Sequence, residues 1–469
     1  MEPPQVVECK FDNGTLVFAG ADMPILAAAA PRLFKFDERT ANFRARACDY
    51  GAILTVARER ALELDDQACA FAPIDDLALS QQLIPRVHQQ TAFDAWRNNA
   101  YRAVTALPTG SGKTILAVMA IARLKRPTLV LVPTIDLLTQ WTTILEQFFN
   151  RPIGMWGGGS NTTCDITVST YNSAVLKMEF YGNRFAFLVA DECHHLPGPA
   201  NRMAAEWCIA PYRLGLSATP ESDAERDAVL ADLMGATCCR IQIDELSDGI
   251  LSDYDVETVE LELTDAEQEA YQTNRKVYID FLHQHNVVMN SIKSWRNFIM
   301  EVVKSGYAGR KAFEAYLTQK AIARGGERKL AMVWELLRRH GGERIIIFTA
   351  DNATAYEIGR RYLLPVLTHH TKSGERKMML ENFRTGACPV LVSSKVLNEG
   401  VDVPEANIGI IVSGGASVRE HVQRLGRILR ARPGKKAILY ELVNSATSEL
   451  SVLNRRREHR AYTTKLGGF

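Results

Sequence analysis

The stretch from Arg102 to Ala122 constrains this chain more tightly than any other. It reads as a strand (Arg102–Ala106), a glycine-bearing loop (Leu107-Pro108-Thr109-Gly110-Ser111-Gly112-Lys113-Thr114) and an apolar helix (Ile115–Ala122). Strand, loop and helix in that order form the context in which a backbone can cradle phosphate. Gly110 and Gly112 lack a β-carbon, so backbone N–H groups can close on phosphate oxygens. The helix N-terminus adds the positive end of its dipole. Lys113 can reach the β- and γ-phosphates, and the Thr114 hydroxyl can bind Mg2+. Pro108, Thr109 and Ser111 complete the loop, and Leu107 stands where the GxxxxGK[ST] spacing has its first glycine.

A strand feeding such a loop belongs to a sheet covered by helices on both faces, and the flanking sequence agrees. From about 81 to 250, apolar runs such as Thr128–Val132, Ile166–Ser169, Phe185–Ala190 and Arg213–Leu216 alternate with helical stretches. Runs without polar alternation suit parallel strands buried on both faces. Their alternation with helices marks a doubly wound α/β domain. A second such pattern spans 326–447, with strands predicted at 344–349, 366–368, 390–393, 408–412 and 437–441.

Thr219 and Ile345 are 126 positions apart (345 − 219). Connections within compact domains usually take ~4–6 residues, so this one holds structure of its own. Thr264-Asp265-Ala266-Glu267 has the pattern of a capping box, and Tyr271, Tyr278 and Leu282 follow at helical spacing. Residues 1–80 read as a small α/β unit. Val6–Phe11 and Thr15–Ala19 flank Asp12-Asn13-Gly14, a strong hairpin signal. A second hairpin is predicted around Phe36–Ala45 and a helix over Tyr50–Leu64. The expected organisation is therefore an N-terminal domain (1–80), a first α/β domain (81–261), a helical insertion (262–325) and a second α/β domain (326–469).

Two further clusters suit the phosphate loop. The run Phe185–Ala190 leads into Asp191-Glu192-Cys193-His194, which sets two carboxylates at the carboxyl edge of a sheet, where open α/β sheets bind ligands. Asp191 is placed to hold Mg2+, usually through water. Glu192 is placed to orient and deprotonate an attacking water. Cys193, His194 and His195 do not have the spacing of zinc ligands. In Gln423-Arg424-Leu425-Gly426-Arg427-Ile428-Leu429-Arg430, Arg427 and Arg430 share a helix face. Their guanidinium groups can stabilise charge on a transferring phosphoryl group.

The 55 basic and 54 acidic residues leave a net charge of +1, so a nucleic-acid path has to be a local stripe. Nine scattered cysteines without a CxxC pair point to reduced thiols and a cytoplasmic setting, nucleoid-associated in a prokaryote. No stretch approaches the ~18 apolar residues of a membrane span.

On these residues the chain resembles superfamily 2 helicases. Within them it is most similar to the XPB family, in particular its compact archaeal and bacterial members. The resemblance implies two RecA-like domains, a helical thumb between them and an N-terminal damage-recognition domain. It implies ATP and Mg2+ as ligands, DNA as the track, and DNA repair as the setting. Superfamily 2 members commonly lack the glycine that Leu107 replaces.

Position by position, Arg86 and Gln89 match the adenine-reading Q motif, and Asp191, Glu192 and His194 match the acid motif. Ser217-Ala218-Thr219 matches the motif that couples hydrolysis to movement. Pro133-Thr134 and Ser169-Thr170 match the nucleic-acid motifs of the first domain, and Thr349 and Ser393-Ser394 those of the second. Gly400 and Asp402 match a nucleotide motif, and Gln423, Arg427 and Arg430 the arginine motif. One departure is Ser222-Asp223-Ala224, which stands where the family carries Arg-Glu-Asp. Strand separation is thereby weakened as an expectation. An RNA-directed motor, a motor working with a separate nuclease, and an ATP-bound scaffold without turnover stay open as alternatives.

Overall fold

The computed structural model describes residues 6–108, 111–218, 223–241, 253–289, 292–394, 406–413 and 436–449. The chain divides into two compact units, Met1–Gln242 and Ile243–Phe469.

The first unit opens with β1 (Val7–Asp12), β2 (Thr15–Ala19), α1 (Met23–Ala29), β3 (Lys35–Asp37), β4 (Asn42–Arg46), α2 (Tyr50–Glu59) and β5 (Leu64–Asp66). The strands form one sheet in the order β3-β4-β2-β1-β5. Asp12 pairs with Thr15 across a two-residue turn, and Asn13 and Gly14 take positive φ angles of 47° and 76°. Two left-handed residues make the tight turn whose twist matches its strands. The predicted helix stops at Glu59. Ala61 turns the chain at φ 52°, and Leu64 pairs in parallel with Val7 instead of extending the helix.

This small sheet is not free-standing. Ile209 enters its core, and a β-carbon at Gly14 would run into the Trp207 ring. Arg46 also bonds Asp232 at 2.7 Å.

The rest of the unit follows as α3 (Val87–Asn98), β6 (Arg102–Ala106), α4 (Lys113–Leu124), β7 (Thr128–Val132), α5 (Ile135–Phe149), β8 (Gly154–Gly157), β9 (Ser160–Thr162) and β10 (Ile166–Thr170). Then come α6 (Tyr171–Val175), α7 (Met178–Tyr181), β11 (Phe187–Asp191), α8 (Met203–Glu206), β12 (Tyr212–Ser217), α9 (Ala224–Met234) and β13 (Thr237–Arg240). The sheet order is β13-β6-β12-β11-β7-β10-β8-β9, parallel except for the β8–β9 hairpin. Every residue of β7, β10 and β11 is buried, which is why these strands carry no polar alternation. Each fully buried Leu or Val there contributes about 1.5–3 kcal/mol. Arg213 is buried and held by backbone carbonyls. Its guanidinium donates to the carbonyls of Ala205, Cys208, Ala210 and Leu233, which satisfies its fork.

The second unit comprises β14 (Asp253–Leu261), α10 (Asp265–Gln284), α11 (Ile292–Lys304), α12 (Gly306–Arg324), α13 (Glu327–Arg339), β15 (Ile345–Phe348) and α14 (Asn352–Tyr362). It continues with β16 (Val366–Leu367), α15 (Ser373–Thr385), β17 (Val390–Ser393), β18 (Ile408–Ile411) and β19 (Lys436–Asn444). The sheet is β14-β19-β18-β15-β17-β16, all parallel.

One boundary moves. The sequence assigns residues up to 261 to the first domain, but β14 pairs with β19 from Asp253↔Lys436 to Leu261↔Asn444. An edge strand with alternating exposure, as over Asp255–Leu261, does not reveal which sheet it joins.

The helices α10 to α12 form the insertion. Thr264 and Glu267 make the reciprocal capping box at the start of α10. Tyr278, Phe281, Leu282, Phe298 and Ala312 build its own core. Its base is tied to the sheet: Asn444 donates to the Ala323 carbonyl at 2.8 Å, and Tyr271 accepts from the Ser448 amide at 3.0 Å.

Candidate functional site

Strands β6 and β11 flank β12 in parallel, so their carboxyl ends lie one strand apart on the same edge of the sheet. The loop after β6 delivers Ser111 and Gly112 and then Lys113 at the start of α4. Gly112 has φ 85°, which a residue with a β-carbon adopts only under strain. A β-carbon there would also collide with the Gln89 side-chain amide. Ser111 turns its hydroxyl back onto the Pro108 carbonyl at 2.7 Å and its amide onto the same oxygen at 3.3 Å. Thr114 follows on the first turn of α4.

The end of β11 brings the two acids beside this loop. The Lys113 ammonium donates to Glu192 Oε1 at 3.1 Å, with the two side chains 10% and 7% exposed. Asp191 accepts the Trp141 indole N–H at 2.8 Å on one oxygen and the Glu192 amide at 3.0 Å on the other. Burial pushes the Asp191 carboxyl above its ordinary range, and the neighbouring Glu192 adds to the effect. Lys113 and the Trp141 bond pull the other way. Such a carboxylate gains by acquiring a cation.

Glu192 takes φ 47° and ψ 52°, a left-handed conformation costly for a residue with a side chain. Tyr171, directly after the Thr170 cap, donates its hydroxyl to the Asp191 carbonyl at 2.9 Å. That bond fixes the peptide joining the two acids.

The acid loop is linked onward to the end of β12. His194 Nδ1 lies 3.6 Å from Glu192 Oε2 and 3.4 Å from the Ser217 hydroxyl. The His194 carbonyl accepts from Arg226 at 2.8 Å. Ala218 follows at the sheet edge. Asp223 caps α9 by accepting from the Glu225 amide, and Ala224 opens that helix.

Arg86 occupies the N-cap of α3, with its amide donating to Gln89 Oε1 at 2.9 Å. The Gln89 amide nitrogen donates to the Ser111 carbonyl at 3.0 Å. Thr134 and Thr170 cap α5 and α6. The hydroxyls of Ser169, Thr349 and Ser393 are buried and donate to nearby backbone carbonyls. Ser394 is buried as well. These hydroxyls shape the loops at the two sheet edges, and Pro133 directs the chain into the cap of α5.

Several expected residues fall outside the described residues: Thr109, Gly110, Thr219, Ser222, Gly400, Asp402, Gln423, Arg427 and Arg430. Among the described residues no group of His, Cys, Asp and Glu has the makings of a closed metal site. All nine cysteines are free. No described helix is long and apolar enough to cross a membrane.

Sequence reasoning missed Trp141. On α5 it sits among Leu137, Leu138 and Leu145 and reads as plain core. The available signal is that a buried indole N–H needs an acceptor.

Comparison with known proteins adds to this geometry. Residues 82–222 match the family described as type III restriction enzyme, res subunit, and residues 328–432 match the helicase conserved C-terminal domain. Residues 10–68 match the xeroderma pigmentosum group B helicase damage recognition domain. The chain is 35% identical to the DNA 3'-5' translocase XPB2 of Sulfurisphaera tokodaii, over 92% of this chain and 97% of that protein. It is 28% identical to the DNA 3'-5' helicase XPB of Mycobacterium tuberculosis, over 76% of this chain and 60% of that protein. The helicase domain of Pyrococcus furiosus Hef shares the fold at a TM-score of 0.53 and 18% identity, over 80% of this chain and 98% of that one.

Proposed function

The chain belongs to the XPB family of superfamily 2 DNA helicases, and on that premise we propose how its residues divide the work of an ATP-driven DNA motor. The observation that carries the reading is the Lys113–Glu192 contact of 3.1 Å beside the buried Asp191. It joins a phosphate cation, a metal carboxylate and a base at the carboxyl edge of one sheet.

ATP lies with its phosphates on the loop at 108–114. An arriving γ-phosphate gives the Lys113 ammonium a second anionic partner. The Glu192 carboxylate then orients a water and takes its proton as the water oxygen attacks the γ-phosphorus. The bond to the β-phosphate breaks, and the proton leaves Glu192 for solvent. Thr114 and Asp191 are hard oxygen donors of the kind Mg2+ takes when it keeps several waters. When bound, Mg2+ offsets charge on the phosphate oxygens. His194 holds Glu192 and reports its position to Ser217, with Ala218 and Thr219 next in the coupling motif.

Arg86 and Gln89 flank the adenine side. By the family resemblance, Gln423, Arg427 and Arg430, with Gly400 and Asp402, are the nucleotide-motif residues of the second α/β domain. In the first unit DNA phosphates are addressed by Pro133-Thr134 and Ser169-Thr170, beside the N-termini of α5 and α6; in the second they are addressed by Thr349 and Ser393-Ser394. Contacts of this kind address phosphates and read no sequence. The domain roles follow: 1–80 contacts damaged or distorted DNA, and the insertion at 262–325 acts as a thumb on the track. Because Ser222 and Ala224 stand where the family places an arginine and an acid, translocation is the stronger activity, and unaided unwinding of long duplexes is weak.

The deciding experiment is Glu192→Gln. Nucleotide binding should persist while DNA-dependent phosphate release falls by about 10²–10⁴-fold. A variant that keeps most of its turnover overturns the assignment. The restriction-subunit match over residues 82–222 favours one further reading, a motor that serves a separate nuclease. Pull-down with the intact chain, followed by a nuclease assay on the captured fraction, tests it.

A further inference from the structure

The first turn of α3 holds a buried histidine that no motif uses. His88 is 6% exposed, and its Nε2 lies 2.7 Å from the Ser111 carbonyl oxygen. A carbonyl only accepts, so Nε2 carries the hydrogen. Nδ1 is buried and has no hydrogen-bond partner among the described residues. An imidazole kept for packing alone would leave an apolar side chain the better choice, because a buried unpaired polar atom is costly. The Ser111 bond is the compensation the structure offers.

Gln89, the next residue, donates to the same carbonyl at 3.0 Å, and to the Gly112 carbonyl at 3.4 Å. One peptide of the phosphate loop is therefore gripped from two adjacent side chains of α3. The peptide unit is planar and trans, so its C=O and N–H point in opposite directions. Anchoring the Ser111 carbonyl to α3 turns the Gly112 N–H away from α3, toward the side of the loop that faces phosphate. The left-handed Gly112, at φ 85°, keeps room for the Gln89 amide that shares the grip.

We propose that His88 is a positioning residue for the phosphate chain of ATP: through Ser111 it aims the Gly112 N–H before the nucleotide arrives. The proposal rests on reading residues 108–114 as the phosphate loop. His88 touches neither nucleotide nor metal. It lowers the cost of binding by holding one donor in place.

The test compares three substitutions in the full chain. H88L fills the space without a donor. H88Q places an amide nitrogen near the position of Nε2, whereas H88N places one near Nδ1. The KM for ATP and the inhibition constant for pyrophosphate should both rise about five- to tenfold in H88L and H88N. In H88Q they should stay within about twofold of wild type. The rise in KM should exceed any fall in kcat, which separates positioning from general loss of structure. If H88L does not fold, the contrast between H88Q and H88N decides alone.

H88Q as impaired as H88N, or a folded H88L with unchanged KM, overturns the proposal. Lys113→Ala serves as the reference. If it binds ATP like wild type, the phosphate-loop reading falls and takes the proposal with it. If it is impaired while H88L is not, only the proposal falls.

Discussion

Two buried lysines, one in each unit, have opposite surroundings. Lys329 is wholly buried at the start of α13, and its ammonium donates to the carbonyls of Ala323 and Val412 and to the Glu449 carboxylate. An ammonium has three hydrogens to give, and here the protein takes them all. Lys113, 10% exposed, has one carboxylate partner among the described residues, Glu192. A saturated lysine is part of the architecture. A lysine with a single carboxylate among the described residues, at a sheet edge, leaves room for an anion that comes and goes. Both stand in the first turn of a helix.

That contrast is open to breaking. The largest effect on function belongs to Lys113→Ala, which should weaken ATP affinity by about 100-fold while costing less stability than removal of Lys329. Calorimetric ATP titration alongside thermal melting checks both halves. A Lys113→Ala protein that melts earlier than the Lys329 variant yet binds ATP normally would reverse the comparison. Lys329→Met should destabilise the second unit by about 3–5 kcal/mol, since the largely enclosed Glu449 carboxylate loses its ammonium partner. Denaturant unfolding followed by tryptophan fluorescence measures it. If Lys329→Met is instead neutral in stability but blocks DNA stimulation of the ATPase, this lysine is mechanical and not architectural.

The smallest effect concerns a pair that is neither buried nor catalytic. Arg46 and Asp232 are each about half exposed, and Arg46→Ala should cost under about 1 kcal/mol. The bond to Arg46 holds the Asp232 carboxyl below its usual range. A carboxylate with a lowered folded-state pKa contributes above its unfolded value of ~3.9 and stops contributing as pH falls through the folded value. The penalty of Arg46→Ala should therefore be present at neutral pH and shrink in acid. A penalty independent of pH would mean that packing, and not charge, joins the small sheet to its neighbour.

Much of the candidate site's layout was legible because its sequence signals are local. The loop at 107–114 declares itself by glycine and lysine spacing after a strand, and Asp191-Glu192 by ending an apolar run. The Asn13-Gly14 turn and the Thr264–Glu267 capping box were legible for the same reason: each is satisfied within a few residues. What stayed hidden depends on partners far along the chain. Trp141 reaches Asp191 across 50 positions, His88 reaches Ser111 across 23, and Lys329 reaches Glu449 across 120. The hydroxyls of Thr134 and Thr170 fit a nucleic-acid motif and a helix cap equally well in sequence, and the structure shows the caps.

The sequence by itself determined which residue types gather at each turn of the chain: a phosphate loop after one strand, two acids after another, and a helical insertion too long to be a linker. Periodicity and short-range hydrogen bonding are enough for that, because both act over a few residues. Tertiary structure decided where those segments meet. It gave β14 to the second sheet, set the small N-terminal sheet against Trp207 and Ile209, and turned one peptide of the phosphate loop with two side chains from α3. These are pairings across long stretches of chain. Burial selects them, since a buried N–H or carbonyl must find a partner wherever in the chain that partner lies.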